Sequence, residues 1–284
     1  MKVAVFLLLG ALAHAADTNI IRKDGTTAVA KSLRRQGDNI LATVELPVRP
    51  GDPVVTGEVG IPISQIQKID FPEPAILKAV PEYVVAGKGE DTLPKIDEAL
   101  KFYEGFRDAP GSWWADIALL KMNTLFSVGR APQAFGLADT MTRLATEPET
   151  KNAAKILLAA EATSKGNAQA AADTLAVVMR DSTKPDVLAS AAIYKGQSHL
   201  ALKDWENALL CFLQIPVLYP DKKAHYPAYM LGVGRAHFGL EDFPTAKATL
   251  NEVIKTYAAT LEATAAKAEL ELIAKREKAL ADPK

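Results

Sequence analysis

The feature that most constrains this chain is a small residue that returns at one period. Ala99, Ala134, Ala171, Ala208 and Ala246 stand 35, 37, 37 and 38 residues apart. Four residues after each come Tyr103, Ala138, Leu175, Phe212 and Leu250, bulky in four of the five cases. A small and a large residue four apart share one face of a helix, so each pair marks a helix pressed on a neighbour. Gly196 and Gly234 each stand twelve residues before an alanine of this series. Glycine inside a helical pattern costs about 1 kcal/mol relative to alanine, which points to close approach by another helix. Turn signals fall at matching places, at Gly129, Gly166, Lys203-Asp204 and Glu241-Asp242. Such a recurrence predicts helix pairs stacked in series, because no single pair can bury its apolar face alone.

The fullest unit runs from Asp186 to Asp221, with Gly196, Ala208, Phe212 and the closing Pro220 in order. In these residues the chain resembles the tetratricopeptide repeat family, whose period is near 34 residues. Ala192, Lys195 and His199 stand where that family carries tryptophan, leucine and tyrosine, and Tyr219-Pro220 becomes Tyr257-Ala258 one unit later. The resemblance implies a mainly α chain, a right-handed α-solenoid of helix pairs over residues 91–260, with a concave groove lined by the first helix of each pair. Carried over by position, the lining is Asp116, Leu119, Asn123 and Phe126 in the second unit. In the fourth it is Ser190, Ile193, Gln197 and Leu200, and in the fifth Ala228, Leu231, Arg235 and Phe238. The candidate partner-binding residues are Asp116, Leu119, Asn123, Phe126, Ile193, Gln197, Arg235 and Phe238. Leu119 replaces the lysine of the family's carboxylate clamp beside Asn123, so acidic C-terminal tails are not the expected ligand.

The amino-terminal part follows a different period. Asn19–Lys23, Asp24-Gly25 and Thr26–Leu33 read as a hairpin, since Asp-Gly supplies the positive φ angles of a tight primed turn. Ile40, Ala42, Val44 and Leu46 alternate with polar or small residues and predict a half-buried strand, Val54–Ile63 another, and Lys68–Phe71 a closing one after a turn at Ser64–Gln67. The sum is a small antiparallel β domain over residues 16–74 of four or five short strands. With about 58 residues it is small for an autonomous core and is expected to lean on the helices. KDGTT followed by GIPISQIQKI resembles small SH3-like or Sm-like barrels. Arg22, Lys23, Lys31, Arg34 and Arg35 form a basic cluster, read as a solvated strand edge kept charged against aggregation. Single-strand nucleic-acid binding would call for stacking aromatics, and Phe71 is the segment's only one. Prolines 72, 74 and 81 interrupt both periods, so residues 75–90 are a linker or one bridging helix. Ser112 is a candidate N-cap, and Trp113 and Trp114 are expected to pack between units.

The carboxyl-terminal 261–284 segment is rich in Ala, Glu, Lys and Leu. It predicts a capping helix, with Leu261, Ala265, Ala268, Leu272 and Lys275 on one stripe. Heptads sustained enough for a dimerising coiled coil are not evident.

Residues 1–15 read as a secretory signal: Lys2, the apolar Val3–Leu12 and a small-x-small Ala13-His14-Ala15. An apolar run of about ten residues is roughly half of what spans a bilayer, so no stable membrane anchor is expected. With no cysteine at the cleavage point, a lipid anchor is not expected either, and a bacterial source would place the mature chain in the periplasm or outside the cell. Cys211, the only cysteine, sits beside Phe212 and is expected to be a small core hydrophobe. A formal net charge of −1 argues against a general nucleic-acid binder.

No phosphate loop, nucleophile elbow, zinc-protease helix or paired cysteine motif occurs. His199 and His237 share a register but lack the acidic or thiolate ligands a metal site needs. The expectation is therefore a non-enzymatic scaffold, without cofactor or metal, that binds a protein or peptide partner in the groove. The resemblance adds envelope assembly or secretion as its setting. A structural adaptor whose β domain is the binding module is the alternative, and a hydrolase with an unrecognised site the third reading.

Overall fold

The computed structural model describes residues 17–46, 55–85 and 87–281, and of Val85 the backbone alone. The segment read as a secretory signal, and Val54 at the expected start of a strand, lie outside them. The chain is mainly helical, with an antiparallel five-stranded sheet at its amino-terminal side followed by helices that pack in sequence as in a solenoid. It divides into two compact units between Thr146 and Glu147.

In the first unit, β1 (Thr18–Arg22), β2 (Thr27–Gln36), β3 (Asn39–Leu46), β4 (Val55–Pro62) and β5 (Ile66–Asp70) form a sheet in the order β4-β3-β2-β1-β5. The hairpin turns at Asp24-Gly25, but not through the primed turn expected: the Gly25 amide donates back to the Arg22 carbonyl at 3.0 Å, and Gly25 takes φ 84° while Asp24 does not take a positive φ. The Asp24 carboxylate accepts from the Thr26 amide at 2.9 Å. Opposed pairs Ile20–Ala28, Ala30–Val44, Ala42–Val59 and Ile40–Ile61 put one apolar face inward. Ile20, Ala30, Ile40, Ala42, Ile61, Ile66 and Ile69 are all buried there. The basic cluster is largely neutralised, with Arg34 on Glu58, Arg35 on Asp108, and Lys31 on both Asp17 and Glu45.

Four helices complete this unit: α1 (Ile76–Val85, with Pro81 inside it), α2 (Leu93–Glu104), α3 (Trp114–Ser127) and α4 (Ala131–Leu144). The sheet leans on them as its size predicts. Phe71, just past β5, meets Tyr103 and Phe106 edge-on at 5.4 and 5.3 Å between ring centres. Trp113 donates to the Phe71 carbonyl at 3.2 Å, and buried Trp114 donates to Glu104 at 2.8 Å. The loop after α2 returns to the sheet, where the Ile69 amide donates to the Pro110 carbonyl at 2.8 Å. Gly111 follows at φ 89°, against the Ile69 carbonyl, where a Cβ would collide.

The second unit holds α5 (Pro148–Ser164), α6 (Ala168–Asp181), α7 (Pro185–Ala201), α8 (Trp205–Leu218), α9 (Tyr226–Gly239), α10 (Phe243–Thr256) and α11 (Leu261–Ala281). Each packs on the next, and α5 on α7, α7 on α9 and α9 on α11. Proline opens α5, α7, α9 and α10, where its missing N–H goes unmissed. All five periodic alanines are buried, and so are the five residues four places on, including Tyr103 and Phe212. Phe212 is approached by two glycines at once. A Cβ on Gly196 of α7 would lie 2.7 Å from its ring, and one on Gly232 of α9 closer still. Gly234 meets Leu250 in the same way one unit on, at 2.7 Å. The missing side chains of these glycines are the space the large residues fill.

The turns repeat as well. Gly129, Gly166, Lys203 and Glu241, each five residues before a periodic alanine, all take positive φ. After each, the next amide reaches back five residues along the preceding helix, as Asp204 to the His199 carbonyl and Asp242 to that of His237, both at 2.9 Å.

One expectation is corrected. The apolar side of α11 is not the Leu261 to Lys275 stripe, for Leu261 is 72% and Leu272 48% exposed. Ala263, Ala266 and Ile273 are buried instead against Leu231, Leu250 and Val253. Two stripes of similar apolarity lie on this helix, and small alanines let it approach α9 and α10 more closely than leucines would.

Phe212→Ala should destabilise the protein by about 3 to 5 kcal/mol in equilibrium denaturation, with a loss below about 1 kcal/mol contradicting the packing described. Gly232→Ala should cost about 1 to 3 kcal/mol by overpacking. In the double variant the two costs should fall well short of their sum, whereas strict additivity would mean that residue 232 does not bear on this ring.

Candidate functional site

The expected groove residues fall in both units, and each is described in its own. On α3, Asp116 and Asn123 are exposed, while Leu119 and Phe126 are partly buried. Phe126 packs on Phe135 of α4 at 6.0 Å. Desolvation by its surroundings raises the Asp116 carboxyl above the usual range. On α7, Gln197 is partly buried, but Ile193 belongs to the core around Phe212, so it does not line an open groove. Leu231, named with it in the same register of α9, is buried too.

Arg235 and Phe238 are brought together. With Leu200 they line a cleft of about 390 Å³ completed by Trp205, Phe243, Glu241, Glu269 and Arg276. Its apolar wall is aromatic, and Phe238 and Phe243 lie 6.1 Å apart. Gly239, the last residue of α9, lies so close under the Trp205 indole that a Cβ there would overlap it. Two ion pairs cross the cleft's polar side, Arg235 to Glu269 and Arg276 to Glu241, both at 2.7 Å. Because Glu269 and Arg276 lie on α11, the capping helix builds one wall.

Trp205, Phe243 and the α11 charges escaped the sequence reading. A signal for the aromatics was present: Asp204-Trp205 and Asp242-Phe243 occupy one register, three residues before a periodic alanine. Both aspartates anchor the turns. Asp204 is held below the usual carboxylate range by Asn207 and also accepts from His199 at 2.9 Å. Asp242 is lowered by Thr245, and His237 Nδ1 lies 3.2 Å from it. His199 thus closes its turn onto the next helix N-terminus, whereas the buried His237 Nδ1 lies near Asp242 without completing a hydrogen bond. Among the described residues no group of three His, Cys, Asp or Glu could hold a metal ion.

A second cleft of about 400 Å³ between α6, α7 and α8 carries Lys195, His199, Asn207 and Cys211. Cys211 is buried, and burial pushes its thiol up, opposite to what a nucleophile needs. Among the described residues no helix is long and apolar enough to cross a membrane.

Compared with known proteins, the chain matches no family model and no curated protein.

Cys211 should react with a thiol reagent on the order of a hundredfold more slowly in the folded protein than in denaturant. Equal rates would place its sulfur at the surface.

Proposed function

We propose that the helical part is a non-enzymatic scaffold of tetratricopeptide type that binds a short peptide segment of a partner protein, with the cleft between α9, α10 and α11 as its principal contact. The observation that carries this reading is the meeting of Arg235 and Phe238 with Trp205 and Phe243 in one open cleft. Aromatic walls supply most of the contact area of a peptide site, and a few charged groups at the edge set orientation. Here those groups are arginine–glutamate pairs that a ligand's own carboxylate or ammonium can enter by exchange. The expected ligand is a segment with one bulky apolar side chain flanked by polar or charged residues. A secretory segment at residues 1–15 would have the scaffold work outside the cytoplasm, in envelope assembly or secretion.

A random peptide library panned on the full chain provides the test. Enriched peptides should carry an aromatic or large aliphatic residue, and Phe238→Ala or Arg235→Ala should weaken them about tenfold or more under conditions where circular dichroism shows the variant still folded. Peptides that bind both variants as well as the parent, or no enrichment at all, would overturn the assignment of this cleft.

A further inference from the structure

The inner face of the sheet carries one residue out of keeping with the rest. Residues two apart on a strand share a face, so Arg22 follows Ile20 inward, and it is paired across the sheet with buried Ile66. Thr18, two residues before Ile20, is the one other polar residue there, and the remaining positions named on that face are apolar. The Arg22 Nε is shut off from solvent and donates to nothing among the described residues. Each of the other described arginines lies in an ion pair with a carboxylate. Arg22 is partly exposed and its charge acts on the Asp24 carboxylate, but its Nε finds no acceptor there, and a buried guanidinium nitrogen left without one is costly unless an anion meets it.

Arg22 also lines an open pocket of about 340 Å³, together with the partly buried Ala28, Val44 and Val59 and the exposed Thr27 and Val29. At its rim, exposed Lys31 bridges Asp17 and Glu45 at 2.9 and 3.2 Å. We infer that this cavity is a binding site for a monocarboxylate on a short apolar stem, its carboxylate on the Arg22 guanidinium and its stem against Ala28, Val44 and Val59. The planar fork of a guanidinium matches the two oxygens of a carboxylate. A phosphate dianion fits less well, because Asp17 and Glu45 stand at the entrance and repel a second negative charge. The volume is at the small end for ligand sites, which suits a stem of a few carbons, such as an apolar side chain beside a peptide's terminal carboxylate or a short free acid.

The test is a titration of the full chain, labelled with nitrogen-15 in arginine, followed at the Nε–Hε resonances. Hexanoate should move the Arg22 resonance saturably and leave that of Arg34, which is exposed and paired with Glu58, in place. Hexanamide and inorganic phosphate at equal concentration should move neither. An acetylated tripeptide ending in leucine, compared with its C-terminal amide, separates a peptide carboxylate from a free acid as the source: a shift by the acid form alone extends the site to peptide termini, and no shift restricts it to small acids. R22Q should weaken hexanoate binding at least tenfold. Should R22Q fail to fold, the wild-type titration alone decides. No saturable shift with hexanoate, an equal shift with hexanamide or phosphate, or unchanged binding to R22Q would each overturn the proposal.

Discussion

The ring of Phe212 lies where three helices meet, with Gly196 of α7 on one side and Gly232 of α9 on the other. Two interior glycines weaken their helices by about 1 kcal/mol each relative to alanine, yet burying a phenylalanine completely returns more than that. The exchange works only if the ring fills the space that two methyl groups would have taken, which makes the contact geometrically strict. Once the ring is seated, α7 and α9 cannot slide or rotate independently of α8. Leu250 against Gly234 repeats the arrangement with a smaller side chain, and Trp205 against Gly239 forms a third version at the end of α9. The last of these places the indole in the cleft wall beside Phe238, so the packing that holds the helices together also shapes the proposed peptide site.

The turns contribute the other half of this regularity. Each helix pair is closed by a residue with positive φ and an amide that reaches back along the helix. Where that residue is glycine the conformation is free of strain. At Lys203 and Glu241 it is not, and there an aspartate ties the turn down, Asp204 with His199 and Asn207, and Asp242 with the Thr245 amide. The tie also orients the first turn of the next helix, where Trp205 and Phe243 begin. Position and chemistry are linked: a looser turn would leave the aromatic wall without a fixed direction.

Much of this was legible because it rests on local periodicity. Small and large residues at a fixed offset mark the buried face of each second helix whatever the units' detailed geometry, so the series Ala99 to Ala246 found the core throughout. The Asp-Gly hairpin and the alternation of Ile40, Ala42 and Val44 were readable for the same reason. What escaped depends on which of two similar faces meets a neighbour. On α11 the leucine stripe looked the more apolar, but closeness to α9 and α10 favoured alanines. Ile193 was assigned to the groove by analogy of position, while its helix turns that side chain into the Phe212 cluster. Arg22 was read with its basic neighbours as a solvated edge, although its spacing from Ile20 already placed it inward. Glu269 and Arg276 gave no signal, because their roles exist only once α11 has docked on α9.

In the second unit nearly every helix touches only those one or two places away in sequence. Cohesion in such an array is passed from neighbour to neighbour, so the two ends hold fewer contacts than the middle. The Phe212 cluster sits in the interior, whereas α11 is fastened by Ala263, Ala266, Ile273 and a few ion pairs. With the thinner apolar contact of α11 set against the Phe212 cluster, the wall that closes the aromatic cleft is expected to open at lower cost than the centre of the unit. A segment lodged there would act as a clasp on the terminus, tightening the stack beyond its own footprint.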